Sequence, residues 1–346
     1  MIRKRLIFAV IFALGWGLPA LAQGRRNQGQ AVPPPQETQQ IGPSARSKAE
    51  SDAFNAIQME QNPANVISLS DKFMMTYANS QLIGYIQRFR MFAFSRLGNY
   101  KDAVAAGELG LNFETKYLED VENPPDKSKK VDKNSQLYKA FVAQEISAKL
   151  NYYQVLMTSY QELNDAPKSI EYGEKALAQK PDDLVSLLTV SSVLANRPPG
   201  DDKQKDDQMK RALDLGKKAA DQVTAIVSGP AGAQMKEEQK EGLVSQVHQT
   251  LGMANLHLKK LGDAQKEYLL AIGAKKDDPI SYYGLGMAYA QDKKLDQAMD
   301  ALAKAVYLKF PQDDARKTLE LLYQDKNKST NGIDDFIQKA GQKIGQ

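Results

Sequence analysis

Cysteine is missing from all 346 residues. Without a thiol the chain has no disulfide, no thiolate metal site, no thiol nucleophile and no lipid attachment through an N-terminal Cys. Histidine is nearly missing as well. His248 and His257 are the only two, and nine residues apart they do not have the i, i+4 spacing of a helical metal pair. The sequence also has no Gly-Lys-Ser/Thr phosphate loop, no Gly-x-Ser-x-Gly elbow and no His-Glu-x-x-His. The glycines of Gly284-Leu285-Gly286 follow no strand, so they read as packing positions rather than a nucleotide loop. Adjacent acids invite a metal or glycosidase reading at Asp182-Asp183, Asp201-Asp202, Asp206-Asp207, Asp277-Asp278, Asp313-Asp314 and Asp334-Asp335. Most stand at expected helix starts, where carboxylates cap free N–H groups and meet the positive end of the helix dipole. No catalytic residue, metal ligand or cofactor is expected, and the chain does not read as an enzyme.

Long apolar runs are scarce too. The only one spans Leu6 to Leu18, 13 residues, against the roughly 20 needed to cross a bilayer. Arg3, Lys4 and Arg5 precede it, and Pro19-Ala20-Leu21-Ala22 closes it. A charged start, a short apolar stretch and a small-x-small site read together as a secretory signal peptide over residues 1–22, cut between Ala22 and Gln23. An uncleaved anchor is the alternative. Cleavage removes three positive charges and no acid, so the formal charge falls from +4 to +1. The basic balance thus belongs to the export signal and gives no support for nucleic-acid binding. The expected location is the periplasm or the exterior of a bacterial cell, with no stable transmembrane segment after cleavage. Residues 23–45, with Pro33-Pro34-Pro35 among Gln, Gly, Asn and Arg, read as a disordered leader that serves as a spacer.

What the rest of the chain has in plenty is a recurring helical pattern. It is clearest from Pro279 to Pro311, where Tyr282, Leu285-Gly286 and Tyr289 mark one helix, and Ala298, Leu302, Ala305 and Phe310-Pro311 mark a second and its exit. These spacings resemble the tetratricopeptide signature, which repeats about every 34 residues. Small residues stand where helix backbones approach closely, large ones fill the space between pairs, and Pro311 stops the second helix.

The resemblance extends over roughly residues 46–323. The pairs are expected at about 46–80, 81–112, 137–181, 182–223, 240–278 and 279–311, with a capping helix at 312–323 and an amphipathic tail at 324–346. Landmarks include the turns at Gly98-Asn99-Tyr100 and Leu261-Gly262-Asp263, and Pro167 in the first turn of a second helix. Gly107 takes an aromatic position of the signature and is expected to leave room for a neighbour such as Phe92. The period breaks between Phe113 and Gln136, where Asn123-Pro124-Pro125 and Lys127-Ser128-Lys129-Lys130 suggest a solvated insertion. A long turn is expected at residues 197–202 and a loop at residues 228–232. His248 stands at the signature Trp position and is expected to be a packed, satisfied imidazole; His257 falls near a turn and is expected to be solvated. The tail from Ile333 to Ile344 is expected to dock on its own array rather than on a partner. The fold class implied is all-α, a right-handed superhelical solenoid of about six helix pairs with a C-terminal cap.

In this family the first helix of each pair lines a concave groove that takes extended or helical peptides. Carried over by repeat position, the groove falls on Tyr85, Arg88, Phe92, Gln154, Thr158, Gln249, Met253, Tyr283 and Met287. A second reading, that several of these pack against neighbouring helices, carries equal weight. The Lys and Asn with which one subclass clamps C-terminal carboxylates do not stand at these positions. The implied function is a non-enzymatic adaptor or scaffold for a protein or peptide partner in the bacterial envelope. Two alternatives remain: a structural assembly factor for outer-membrane or secretion machinery, or the recognition subunit of an enzyme complex.

Overall fold

The computed structural model describes residues 41–124, 126, 130–196 and 202–345. The expected signal peptide with its cleavage site, most of the leader, Pro125, Lys127 to Lys129 and the turn residues 197–201 lie outside the described residues. Fifteen helices and no strand occur among the described residues. None of these helices is long and apolar enough to cross a membrane. The described residues fall into two compact units, 41–180 and 181–345.

The N-terminal unit contains three helix pairs: α1 (Lys48–Met59) with α2 (Pro63–Thr76), α3 (Ile83–Arg96) with α4 (Tyr100–Glu122), and α5 (Gln136–Glu162) with α6 (Ala166–Gln179). Local chemistry sets the starts. Ser47, Asn62, Ser135 and Asp165 each accept a backbone N–H in the first turn of the helix they cap. Pro63 and Pro167 stand in first turns, where a missing N–H costs nothing. A core of Phe54, Ile57, Val66, Phe73, Leu82, Ile83 and Ile86 joins the first three helices. A Cβ at Gly107 would lie 2.9 Å from both Leu156 Cδ2 and Met91 Sδ, so this glycine makes room for Met91 and Leu156 rather than for Phe92.

Helix α4 continues to Glu122, ten residues past the pair boundary expected at 112 and into the segment expected to be an insertion. The extension is held against α5: Glu114 is buried, Tyr117 meets Phe141 edge to face at 6.2 Å, and Tyr138 donates to Glu122 Oε1 at 2.8 Å.

The C-terminal unit contains α7 (Leu184–Asn196) with α8 (Asp202–Ser228), the single turn α9 (Pro230–Ala233), α10 (Glu237–His257) with α11 (Leu261–Ala274), and α12 (Pro279–Gln291) with α13 (Leu295–Tyr307). It ends in α14 (Asp314–Asn327) and α15 (Ile333–Gly341). Helix α8 runs five residues past the expected end at Val223, and Pro230 starts a short helical turn where the sequence suggests only a loop. The ending is also more than one capping helix. Leu319 of α14 and Ile333, Ile337 and Ala340 of α15 pack together on Met299, Leu302 and Ala303 of α13. The tail thus docks on its own unit. Ile333 and Ile337 are each 5% exposed, a burial worth roughly 1.5–3 kcal/mol per side chain.

One turn recurs in both units. Gly98, Asn164, Lys259 and Lys293 each take a left-handed conformation between the two helices of a pair. In each case the next residue's N–H donates to a carbonyl five residues back, from Asn99 to Phe94, Asp165 to Tyr160, Lys260 to Asn255 and Lys294 to Tyr289. This Schellman closure satisfies carbonyls that the ending helix leaves free. The left-handed residue in the fifth pair is Lys259; Gly262 lies in the first turn of α11 with no positive φ.

Candidate partner-binding surface

The nine residues assigned to a groove divide between the units, five in the N-terminal one and four in the C-terminal one. They have different fates. Tyr85 and Thr158 are buried, 6% and 3% exposed, and line no surface. Thr158 turns its hydroxyl back onto the carbonyls of Gln154 and Val155. Tyr85 donates to Glu145 Oε1 at 3.2 Å. Both residues meet the packing reading instead: on a helix wedged between two others, the signature position faces inward. Arg88, Phe92 and Gln154 are half-buried.

Beneath Arg88 lies a polar cluster that the repeat pattern does not suggest. Its guanidinium covers the Tyr85 ring at 4.8 Å and approaches Glu114 Oε2 at 3.5 Å, with the side chain 14% exposed. Tyr152 donates to Glu114 Oε1 at 2.8 Å and lies 3.2 Å from the Gly84 carbonyl. Burial pushes the Glu114 carboxyl up to about 7, although the Arg88 charge pulls the other way. Burial likewise raises Glu145, against Arg88 and the Tyr85 hydroxyl. Burial, reinforced by Glu114, holds the Tyr152 hydroxyl well above its ordinary range. The sequence does contain a signal for this cluster. Glu114 and Glu145 both fall on the buried stripes of their helices, Ala103-Gly107-Gly110-Glu114 and Tyr138-Phe141-Glu145-Ala148-Tyr152. A carboxylate on an inward stripe has to be paired. A second cluster follows the same rule: Tyr160 and Tyr172 both donate to Glu108 Oε1, at 2.7 and 3.1 Å, with rings stacked at 5.7 Å.

In the C-terminal unit Gln249, Met253, Tyr283 and Met287 are all half-buried, on the first helices of two consecutive pairs. Gln249 is tied to Asp278, which caps α12 by accepting from the N–H groups of Ile280 and Ser281. The Met253 sulfur lies 3.9 Å from the Tyr268 hydroxyl, and Met287 packs on the cluster of Leu256, Tyr268 and Leu285. Tyr283 stacks on Phe310 at 4.4 Å. Met253, Met287 and Tyr283 thus rest against apolar or aromatic neighbours, the arrangement in which Tyr and Met serve as contact residues, and Gln249 rests on a polar cap.

The histidines do other work. His248 Nδ1 lies 2.6 Å from Glu267 Oε2, which joins α10 to α11. His257 is half-buried rather than solvated, and burial followed by the Lys205 charge lowers its pKa. Among the acidic pairs, Asp183 and Asp278 cap helices, whereas Asp207 lies inside α8 facing Lys210 and Asp334 pairs with Arg316. Asp201 lies outside the described residues. Among the described residues no three His, Asp or Glu side chains converge as metal ligands would.

A family model described as "Tetratricopeptide repeat" matches residues 280–311. A search of curated proteins found no match. Among solved structures, MamA (41-end) from Desulfovibrio magneticus RS-1 aligns at 16% identity and a TM-score of 0.40, covering 57% of this chain and 98% of that one. TTC0263, a thermophilic TPR protein from Thermus thermophilus, aligns at 18% identity and a TM-score of 0.38, covering 66% and 95%. The TPR2AB domain of yeast Sti1, in its pHSP90 complex, aligns at 13% identity and a TM-score of 0.23, covering 86% and 96%. The match at 280–311 falls on helices α12 and α13, where the signature residues Tyr282, Leu285, Ala298 and Leu302 are all buried. Residues 280–311 of this chain are a tetratricopeptide repeat.

Proposed function

We propose that this protein is a non-enzymatic adaptor, exported to the bacterial cell envelope, that holds a protein or peptide partner along the first helices of its repeats. The observation that carries the reading is the strip of Gln249, Met253, Tyr283 and Met287. Each is half-buried on the first helix of its pair, Gln249 held by Asp278, Met253 beside Tyr268, and Met287 and Tyr283 on apolar clusters. A partner that docks on such a strip loses little ordering entropy on the repeat side. Export rests on the charged start, apolar run and small-x-small site of residues 1–22.

The test is a crosslinking pull-down from the organism's envelope fraction, using mature protein 23–346 alongside a Tyr283→Glu, Met287→Glu double variant. The expected result is a partner bound by the first and lost by the second, with unchanged helical content. Retention of every partner by a folded double variant would overturn the assignment of this strip. Export is tested separately by the mass of the N-terminus in the fractionated cell, expected to begin at Gln23.

A further inference from the structure

Residues 41–45 belong to no helix, yet all five are half-buried. They run across the N-terminal unit and touch three of its elements. Gly42 lies against the Phe141 ring of α5, with Cδ2 and Cε2 each 3.6 Å from where a Cβ would stand. The Gly42 backbone also faces the Tyr117 hydroxyl of α4. The Ser44 N–H donates to Gln81 Oε1 at 3.4 Å, just before α3, and Ala45 packs on the core of α1 to α3. Tyr117 and Phe141 themselves meet edge to face at 6.2 Å, which makes an aromatic corner for the segment to lie over.

The contacts have the form of peptide recognition. Two of these four contacts, those with Tyr117 and Gln81, involve backbone groups, so they require an extended chain rather than particular side chains. Gly42 has φ +124°, a conformation side chains rarely adopt, and Pro43 fixes its own φ and disfavours helix at the residue before it. The Gly-Pro step thus presets the shape that the corner holds.

We infer that Tyr117, Phe141 and Gln81 form a peptide-binding surface that the chain fills with its own segment 41–45. When that segment withdraws, an extended partner segment with the same Gly-Pro step takes its place. This surface is distinct from the strip assigned above, and neither depends on the other. The resident segment competes as a tethered ligand, so the surface's apparent affinity for an outside peptide is reduced by the fraction of chains in which it is open.

The experiment uses the full chain and a fluorescent peptide of residues 39–46, QQIGPSAR, followed by anisotropy. Gly42→Val in the protein forces a β-branched residue into the positive-φ position and displaces the segment. The expected result is binding to the Gly42→Val chain at least about tenfold tighter than to the unaltered chain. Tyr117→Phe added to that variant weakens the peptide, and a peptide carrying Val in place of Gly fails to bind. Should Gly42→Val lose helical content, Gly42→Ala gives the same comparison with a smaller side chain. Equal binding to both chains, or binding to neither while circular dichroism is unchanged, would overturn the proposal.

Discussion

Tyr152 in the N-terminal unit and Tyr268 in the C-terminal unit are both almost wholly buried, yet their hydroxyls meet different surroundings. Tyr152 donates to a buried carboxylate and lies against a backbone carbonyl. Tyr268 is flanked by Gly252 and Gly284, and its hydroxyl touches only the Met253 sulfur at 3.9 Å. The contrast extends to the units around them. Where residues follow the repeat signature, as in α10 to α13, small residues admit large apolar ones, and the polar pairs His248–Glu267 and Gln249–Asp278 are only part-buried. Where α4 and α5 outgrow the signature, the added turns bring carboxylates onto the inner face, where tyrosines donate to them and the Arg88 charge faces Glu114. Extra helix length was thus obtained at the expense of a polar network whose stability depends on its partners remaining in place.

The largest expected effect tests the apolar packing around Tyr268. Tyr268→Ala empties the space between two glycines and is expected to destabilise the C-terminal unit by about 3–5 kcal/mol in urea denaturation. Gly284→Ala sets a methyl into the Tyr268 ring and is expected to cost about 1–3 kcal/mol.

Paired removal of the two hydroxyls sharpens the comparison. Tyr152→Phe leaves the buried Glu114 carboxylate without its donor and is expected to cost about 1–3 kcal/mol. Tyr268→Phe leaves no strong acceptor unpaired and is expected to change stability by less than about 0.5 kcal/mol. Equal losses would mean that the two tyrosines do not differ as their surroundings indicate.

A third expectation concerns pH. Glu114 binds its proton more tightly in the folded chain, at about 7, than at the ordinary carboxylate value of 4.5. Its contribution to stability is therefore complete below the ordinary value and lost as pH rises through about 7. Glu145, also raised by burial, acts in the same direction. The N-terminal unit is expected to be more stable at pH 5 than at pH 8 by about 1–3 kcal/mol, and Glu114→Gln to flatten that slope.

The smallest effect is expected at the feature the units share. Lys259 and Lys293 hold left-handed backbone at the turn where the second pair has Gly98. Replacing each by Gly relieves strain, offset by the greater freedom of Gly in the unfolded chain. A gain of about 1 kcal/mol or less per site, seen as a raised melting temperature, is expected.

Much of this architecture was legible in the sequence. Tyr282, Leu285, Gly286, Ala298 and Leu302 fit the repeat because each residue's size is set by the gap it fills, and size can be read from one letter. Pro167 marked a helix start for an equally local reason. The contents of the polar cluster were not legible, because Tyr85, Glu114, Glu145 and Tyr152 are brought together only by packing. Tyr85 was assigned to a surface because repeat position gives the face of an average helix. It cannot say that a neighbouring helix is long enough to cover that face. Residues 41–45 were assigned to the leader by their composition, which registers that a segment is short of apolar residues. It does not register backbone contacts of the kind that Gly42 and Ser44 make.

The most direct test is native-state hydrogen exchange at pH 5 and pH 8, corrected for intrinsic rates and read helix by helix. The polar cluster of the N-terminal unit should make protection in α3, α4 and α5 fall as pH rises, while protection in α10 rises, because the lowered pKa of His257 favours the fold at the higher pH. Parallel behaviour of the two units, or no change in either, would contradict the claim that they are held together by different chemistry.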